Sequence, residues 1–212
     1  MNSVLVSADQ LVLARQGRLL SAPLCFNLQA GQAWHLVGAN GSGKTTLLQT
    51  LVGLTAPASG QVYWQGKSYD QWGDALRAQW HYCSHTDALK GEWTLWENLL
   101  WQGRLMGRKL ELDTVTPVVQ QMRLLSLLHL PVGQYSKGQQ RRAALLGLQL
   151  HPRPLWLLDE PFSALDAQGA QLLVQWMDQQ CATGGAVIFT THQSYPPLRQ
   201  VPHTLHLVAR SA

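Results

Sequence analysis

A glycine-rich segment near residue 40 most constrains what this chain can fold into. Residues 38–45 read GANGSGKT and match the spacing G-x-x-x-x-G-K-[ST], in which backbone N–H groups wrap closely around phosphate oxygens. A short apolar run, residues 33–37, precedes the segment, and a stretch with helical periodicity, residues 44–52, follows it. This order predicts a phosphate-binding loop between a strand and a helix, with the helix N-terminus directed at the anion.

The residues of this loop have separate predicted tasks toward a nucleotide. We expect the Lys44 ammonium to reach the β- and γ-phosphates and the Thr45 hydroxyl to bind Mg²⁺. The glycines let the backbone approach the phosphates closely. The predicted contact set is Gly38, Ala39, Asn40, Gly41, Ser42, Gly43, Lys44, Thr45 and Thr46.

Two acidic residues follow a second apolar run. Residues 155–158 read LWLL, and Asp159 and Glu160 come directly after them. A buried strand delivers such carboxylates to the sheet edge where α/β sheets bind ligands. Because neighbouring side chains of a strand point to opposite faces, the two acids are expected to have different roles. We predict that Asp159 holds Mg²⁺ and that Glu160 polarises the attacking water.

Strand-like and helix-like segments alternate at both ends of the chain, and the middle is helical. This pattern predicts an α/β core with parallel strands and an inserted helical subdomain. The predicted strands are 4–13, 24–28, 33–37, 61–65, 155–158, 186–190 and 205–208, and the predicted helical stretches are 44–52, 94–129, 136–150 and 167–180.

Composition limits the classes of partner. Charged residues make up 13% of the 212 residues, against about 25% in average soluble domains, and nine residues are Trp. We expect partners to cover part of this surface, with a large core in an ordinary monomer as the alternative. The formal net charge of +4 suits an anionic ligand, and the absence of Lys or Arg runs argues against nucleic acid.

The chain also lacks the sequence marks of export and of haem attachment. The N-terminus has no basic start followed by an apolar stretch, and no run of about 18 apolar residues occurs. We therefore expect that, if the chain serves a membrane process, it does so from the cytoplasmic side and through other chains. The cysteines Cys25, Cys83 and Cys181 are isolated in sequence, which fits a reducing compartment. No CxxCH occurs, so the eight histidines are not read as haem ligands.

Three further segments decide among phosphate-loop ATPases. Residues 135–141, YSKGQQR, resemble the LSGGQ signature of ABC ATPases, with Tyr135 for Leu and Lys137 for Gly, and the Ser136–Gln139 spacing predicts a capping box. Residues 163–166, SALD, look like the D-loop, and residues 190–192, TTH, look like the switch region. The chain thus resembles ABC nucleotide-binding subunits over nearly its whole length.

This resemblance implies a fold, a dimer and several site residues. The implied fold is a phosphate-loop ATPase core with a mainly parallel sheet (1–85 and 152–212), an N-terminal antiparallel β subdomain and an inserted helical subdomain (about 86–151), together one domain over 1–212. The implied homodimer encloses two ATP molecules. Ser136, Gly138 and Gln139 would act on the ATP of the opposite subunit, and His192 would contact the γ-phosphate.

Two positions depart from the pattern of the family. His85 stands where a Gln usually contacts the Mg²⁺-bound water, and an imidazole could take that contact. Arg15 stands near the position of the aromatic that stacks on adenine. A guanidinium can stack on a ring, so Arg15 is a candidate platform, with a solvated surface charge as the alternative.

A narrower resemblance is carried by residues 60–66, 136–142, 156–162 and 184–193. These segments are similar to the ATP-binding subunits of bacterial cytochrome c maturation complexes, in which His also replaces the Gln. The resemblance implies a peripheral ATPase at the cytoplasmic face of the inner membrane, bound to integral membrane subunits and acting indirectly on a periplasmic haem chaperone. The alternatives are the ATPase of a nutrient or drug transporter, a soluble ABC protein acting on nucleic acid, and a small-molecule kinase.

A tryptophan-rich stretch at residues 93–101 is a candidate partner surface. In ABC subunits this stretch forms a cleft for a helix of the membrane partner. Trp96 and Trp101 fall near helical spacing with Leu99 and Leu105, so we interpret them as core residues. Trp93 precedes the helix, and we predict that it contacts the membrane subunits.

Overall fold

The chain forms two large sheets and a set of helices that lie between and around them. A computed structural model describes residues 3–208, so residues 1–2 and 209–212 of the predicted domain lie outside the described residues. The strands are β1 (Val4–Val12), β2 (Ala14–Arg15), β3 (Arg18–Leu19), β4 (Leu24–Gln29), β5 (Ala33–Val37), β6 (Ser59–Trp64), β7 (Lys67–Ser68), β8 (Trp80–Cys83), β9 (Leu155–Leu158), β10 (Ala186–Thr190) and β11 (His203–His206). The helices are α1 (Lys44–Leu51), α2 (Tyr69–Trp72), α3 (Leu95–Leu105), α4 (Leu112–Gln121), α5 (Lys137–Leu145), α6 (Gly147–Leu150) and α7 (Ala167–Ala182).

The five-stranded sheet is parallel throughout and has the order β11-β5-β10-β9-β8. Its strands β9 and β10 are buried along their whole length because both faces of the sheet are covered. Alternate side chains of β9 point to opposite faces of the sheet and enter two different cores. Leu155 and Leu157 face one core, and Trp156 and Leu158 face the other. The continuous apolar runs in the sequence follow from this double burial.

The N-terminal strands form a separate antiparallel sheet with the order β4-β1-β6-β7. A small hairpin of β2 and β3 follows β1, and the pairs Ala14–Leu19 and Arg15–Arg18 close a two-residue turn, Gln16–Gly17. This hairpin carries Arg15 away from the antiparallel sheet. The predicted fold class, an α/β core with a parallel sheet and an antiparallel β subdomain, is confirmed.

The helical middle differs from the sequence-based prediction in its subdivision. The predicted helical stretch 94–129 consists of α3, α4 and a 3-10 turn at Leu125–Leu127, because the chain turns at Met106–Gly107 after α3. The stretch 136–150 is divided into α5 and α6 at Leu146. The final strand lies at 203–206 and not at 205–208. Sequence reasoning missed the short strands β2, β3 and β7, the strand β8 and the helix α2.

Helices α3 to α6 all lie between β8 and β9 in the chain, so they form an insertion into the parallel sheet. Their apolar side chains share one continuous core with α7 and with one face of β9 and β10. The insertion therefore packs on the sheet. The boundary at 86–151 stays a proposal, and it encloses all four helices. Within residues 3–208, no helix is long and apolar enough to cross a membrane.

Candidate functional site

Four neighbouring parallel strands end at one edge of the sheet, and their next residues line one cavity. Strand β5 leads to the phosphate-binding loop, β8 to His85, β9 to Asp159 and Glu160, and β10 to His192. Carboxyl ends of parallel strands meet at one edge, so residues far apart in sequence converge there. The cavity has a volume of about 480 Å³ and is lined by Arg15, Leu20, Asn40, Gly41, Gly43, Lys44, Thr45, Thr46, His85, Asp159, Glu160 and His192.

The glycine-rich loop is closed by its own lysine. The Lys44 Nζ donates hydrogen bonds to the carbonyl oxygens of Gly38 at 2.8 Å and Ala39 at 3.2 Å. Gly38 is required by a close approach, since a Cβ there would lie 2.5 Å from the carbonyl oxygen of Leu207, just after β11. Ser42 is buried, and its Oγ has no hydrogen-bond partner among the described residues. The loop thus presents its N–H groups and one cation at the start of α1.

Asp159 is buried and held by two hydroxyl groups. The Thr45 Oγ1 donates to its Oδ2 at 2.7 Å, and the Thr190 Oγ1 donates to its Oδ1 at 2.8 Å. The His85 Nδ1 lies 3.7 Å from Oδ2, and the His85 side chain is 62% exposed. Hydroxyl and carboxylate oxygens are the ligands that Mg²⁺ prefers. Thr45 and Asp159 therefore fit a magnesium ion. His85 offers a ring nitrogen beside them, at the exposed rim of the cavity.

Glu160 adopts an unusual backbone conformation next to Asp159. Its φ angle is +49°, in the left-handed region that costs energy for residues other than glycine. Its backbone N–H donates to the Thr190 Oγ1 at 2.9 Å, and its Oε2 accepts from the His192 backbone N–H at 3.2 Å. The His192 Nε2 lies 3.7 Å from the Glu160 Oε1. The Thr190 hydroxyl is shared by both residues, whereas their carboxylates have different further partners, Thr45 for Asp159 and His192 for Glu160.

Comparison with known proteins identifies the family of this chain. The sequence model of the ABC transporter family matches residues 22–163, more than half of the chain. The chain belongs to the ABC transporter family. It is an ATP-binding, ATP-hydrolysing subunit of that family, which confirms the recognition made from sequence. ATP-binding subunits of ABC transporters work as dimers with membrane subunits of the same complex.

Individual relatives extend this result along nearly the whole chain. The cytochrome c biogenesis ATP-binding export protein CcmA of Dechloromonas aromatica is 40% identical, covering 89% of this chain and 93% of the relative. The protein of the same name from Idiomarina loihiensis is 39% identical, covering 99% and 95%. A solved ATP-binding subunit of an ABC transporter is 26% identical with a TM-score of 0.78, covering 89% of this chain and 79% of that one.

The predicted signature segment of this ABC subunit begins a helix as expected. The Ser136 Oγ accepts from the Gln139 backbone N–H at 3.2 Å, and the Gln139 Oε1 accepts from the Ser136 N–H at 2.8 Å, so the capping box forms. A Cβ at Gly138 would lie 2.8 Å from the carbonyl oxygen of Ala164, so the helix start packs against the D-loop segment. Ser136, Gly138 and Gln139 do not line the cavity that contains Lys44.

The D-loop segment is tied to α5 by a second interaction. The Asp166 carboxylate caps α7 by accepting from the Gly169 backbone N–H at 2.9 Å, and it also accepts from the Arg142 guanidinium. The Gly169 backbone N–H and the Arg142 guanidinium lower the pKa of Asp166. These contacts hold the D-loop segment against α5, next to the start of that helix.

Sequence reasoning missed the contributions of Arg141 and Thr190. Arg141 lies inside the signature segment, and its buried guanidinium binds the backbone that follows β8 and β9. Thr190 ends β10 and connects Asp159 to Glu160 through one hydroxyl. The available signal for Thr190 was a polar residue at the carboxyl end of a strand next to β9. Arg141 had no local signal that separates it from the other polar residues of α5, which are Lys137, Gln139, Gln140 and Arg142.

A second cavity of about 350 Å³ lies between α3 and the loop after β8. Ser84, Asp87, Lys90, Trp101 and Leu105 are among its lining residues. Trp101 is 43% exposed, so the interpretation of Trp101 as a core residue is wrong. The helical spacing is correct, and Trp101 lines the cleft, where other elements cover it only in part. Trp96 is partly buried and packs against the core.

Trp93 lies beside this cleft and not inside the core. Its ring centroid is 5.8 Å from that of Trp101, with the rings at 84°. The Lys90 Nζ lies 4.1 Å from the Trp93 centroid and 5.4 Å from the Trp101 centroid, which are cation–π distances. Lys90 thus holds two partly exposed tryptophans together at the mouth of the cleft.

Proposed function

We propose that this chain is the ATPase subunit of an inner-membrane ABC complex for cytochrome c biogenesis, converting ATP and water to ADP and phosphate. The arrangement of Asp159 and Glu160 carries the proposal. Asp159 is held toward Thr45 of the phosphate-binding loop, and Glu160 is turned toward His192. The relatives named cytochrome c biogenesis ATP-binding export protein support the process in which the hydrolysis is used.

ATP binding depends on the glycine-rich loop and on Lys44. In the structure the Lys44 ammonium satisfies two carbonyl oxygens of its own loop. The oxygens of a bound phosphate are charged, so they accept stronger hydrogen bonds from the Lys44 ammonium than neutral carbonyl oxygens do. Lys44 then exchanges intraloop contacts for the β- and γ-phosphates, and the loop N–H groups of 38–46 complete the site.

Thr45 and Asp159 are the proposed holders of Mg²⁺. Thr45 and Asp159 would hold the ion, and a Mg²⁺ bound there would supply positive charge that offsets the charge of the phosphates. The hydrogen bond from Thr45 to Asp159 already brings both oxygens together, and Thr190 fixes the second carboxylate oxygen. His85 is 62% exposed, and we propose that it contacts a metal-bound water from the cavity rim.

Glu160 and His192 are proposed to act at the γ-phosphate. The Glu160 carboxylate orients the attacking water and takes its proton as hydrolysis proceeds. His192 contributes its backbone N–H to one Glu160 oxygen and has its ring 3.7 Å from the other. We propose that the His192 ring binds the γ-phosphate and that its main chain keeps Glu160 in place.

The signature residues are proposed to complete the nucleotide site of a second subunit. Ser136, Gly138 and Gln139 lie at an exposed helix start outside the cavity of their own chain. A helix N-terminus attracts anions, so this end suits the γ-phosphate held by the opposite subunit of a homodimer. Arg15 lines the cavity, on the β2–β3 hairpin. We propose that its guanidinium stacks on adenine.

The cleft at Trp93 and Trp101 is the proposed contact for integral membrane subunits. Two partly exposed tryptophans beside a cation form the kind of surface that is buried in protein complexes. With the ATPase docked there, the complex holds this subunit peripherally at the cytoplasmic face of the inner membrane. We propose that hydrolysis drives haem export or release of the haem-loaded periplasmic chaperone, and nucleic acid is not a partner.

The test is made in the bacterium itself. Replacing the chromosomal gene by a Glu160→Gln version is expected to abolish haem-stained c-type cytochromes while the subunit remains in membrane complexes. Glu111→Gln, at an exposed carboxylate near Lys109, is the matched control and is expected to support normal cytochromes. Normal cytochromes with Glu160→Gln contradict the proposal. Co-purification of the subunit with a nutrient or drug permease assigns it to that transporter instead.

A further inference from the structure

The Arg141 guanidinium lies between two cavities, the nucleotide cavity and the cleft beneath Trp101, and it binds a loop that lines each of them. It is buried, with 4% of the side chain exposed, and all of its hydrogen bonds described here go to two loops. On one side it donates to the Ser84 carbonyl at 2.8 Å and to the Asp87 carboxylate at 3.0 Å. Both residues line the cleft beneath Trp101.

On its other side Arg141 binds the backbone around the proposed catalytic carboxylate. It donates to the carbonyl oxygens of Asp159 at 3.0 Å, Glu160 at 2.8 Å and Pro161 at 3.3 Å. Three successive carbonyls that converge on one guanidinium define a tight curve of the chain directly after β9. A lysine ammonium cannot reproduce this planar set of donors.

The curve matters because Glu160 has its backbone in the left-handed region, with φ +49°. Such a conformation persists only where the surroundings hold it. Here the Glu160 N–H is fixed by the Thr190 hydroxyl and its carbonyl by Arg141. Both backbone groups of the residue are therefore fixed, and they set the direction in which its side chain leaves the main chain.

We infer that Arg141 is a positioning residue that links the Ser84–Asp87 loop to the Glu160 backbone and sets the orientation of the Glu160 carboxylate for hydrolysis. The inference rests on the proposed catalytic role of Glu160. A displacement of Ser84 or Asp87 at the cleft is passed through one rigid guanidinium to the residue that orients water. Arg141 itself does not line the nucleotide cavity.

The experiment compares turnover and ATP binding in the purified full-length chain. Arg141→Lys is expected to lower kcat for MgATP by about 10–100-fold, since small misplacements of a catalytic group cost this much. The Kd of a fluorescent ATP analogue is expected to stay within about twofold, because the Arg141 side chain does not line the nucleotide cavity. The matched control is Arg153→Lys, which replaces another partly buried arginine bound to a backbone carbonyl, that of Ala78. Its kcat is expected to equal that of the wild type.

A double-mutant cycle separates positioning from a structural or independent role. In a Glu160→Gln background, adding Arg141→Lys is expected to change the residual rate by less than about twofold, because both changes remove the same oriented carboxylate. Effects that multiply, or a wild-type kcat in folded Arg141→Lys protein, overturn the inference. If Arg141→Lys does not fold, Asp87→Ala removes the acid partner instead, and an unchanged kcat there overturns it equally. Unchanged turnover in Glu160→Gln alone overturns the proposed function as well, so the two failures are distinguishable.

Discussion

The nucleotide cavity and the cleft beneath Trp101 hold their functional side chains in different ways. At the nucleotide cavity, Asp159 and Glu160 are fixed by the hydroxyl groups of Thr45 at the start of α1 and of Thr190 at the end of β10. At the cleft, Lys90, Trp93 and Trp101 are held mainly by contacts among their own side chains on a loop and one helix. Chemistry on a phosphate needs placement within a fraction of an ångström, whereas docking depends on exposed area. The following predictions test this division.

The largest effect is expected at Glu160, where placement matters most. Glu160→Gln removes the group that takes the proton of the attacking water, and kcat is expected to fall by about 10²–10⁴-fold. ATP affinity is expected to persist, and uncleaved ATP should hold two chains together. Steady-state hydrolysis, ATP binding and size-exclusion chromatography with ATP measure the three properties. A wild-type rate in this variant removes Glu160 from catalysis.

Lys44 is expected to differ from Glu160, because its replacement weakens ATP binding itself. Lys44→Ala removes charge-assisted hydrogen bonds to phosphate, and ATP affinity is expected to fall by about 3 kcal/mol, roughly a hundredfold. Equilibrium binding of labelled ATP is the measurement. Lys109→Ala, at an 88% exposed side chain remote from the cavity, is the control and should bind ATP normally. Undiminished affinity in Lys44→Ala contradicts the assignment of the phosphate-binding loop.

The difference between the two regions also explains what could be predicted from sequence. The loop at 38–45 and strands β5, β9 and β10 were predicted with correct bounds because their signals are local: spacing, apolar runs and the residues that end them. Strand β8 was missed because Trp80–Cys83 is an edge strand with three half-buried residues and no regular alternation. His85 and Arg15 were placed near the site only through the family resemblance, and both line the cavity.

The roles of Arg141 and Trp101 needed tertiary information. Helical spacing places Trp101 on the same side of α3 as its apolar neighbours, but it does not say which part of that face another element covers. Likewise, nothing local indicates that Arg141 lies against the carbonyls of 159–161, because loops from β8 and β9 meet it from distant parts of the chain. Sequence reports the periodicity of an element and not its neighbours.

Trp93 tests the cleft side of the comparison directly. Trp93→Ala is expected to weaken assembly with the membrane subunits by about 2 kcal/mol, as for a central interface tryptophan, while the isolated subunit still binds ATP. Pull-down from detergent extracts and a thermal melt of the purified chain measure both properties. Trp72→Ala is the matched control, since Trp72 is also partly buried and lies under a lysine, Lys67 at 5.4 Å. If the Trp93→Ala melt collapses while its folded fraction assembles normally, Trp93 is a core residue.

The smallest expected effect concerns two histidines behind the cleft. Burial, together with the charges of His151 and Arg153, lowers the pKa of His81 to about 4. Burial, together with the charges of Arg108 and Arg153, lowers the pKa of His151 to about 4. Both imidazoles are therefore neutral in the folded chain at pH 7. The unfolded chain, with a histidine pKa near 6.5, binds protons first on acidification, so this contribution to stability is complete above pH 6.5 and is lost as the pH falls toward 4.

Urea unfolding at pH 7 and at pH 5 gives the difference in the free energy of unfolding between the two pH values for each protein. A change in stability that a substitution causes equally at both pH values cancels in this difference. The wild type is expected to lose stability between the two values, and His81→Gln is expected to lose about 1–2 kcal/mol less, since one titrating imidazole is gone. His206→Gln, at an exposed position of β11, is the control and should keep the wild-type difference. Equal losses in His81→Gln and wild type contradict the assignment of His81 as a buried neutral group. Because His81 lines the cleft and not the nucleotide cavity, ATP affinity at pH 7 should be the same in all three proteins.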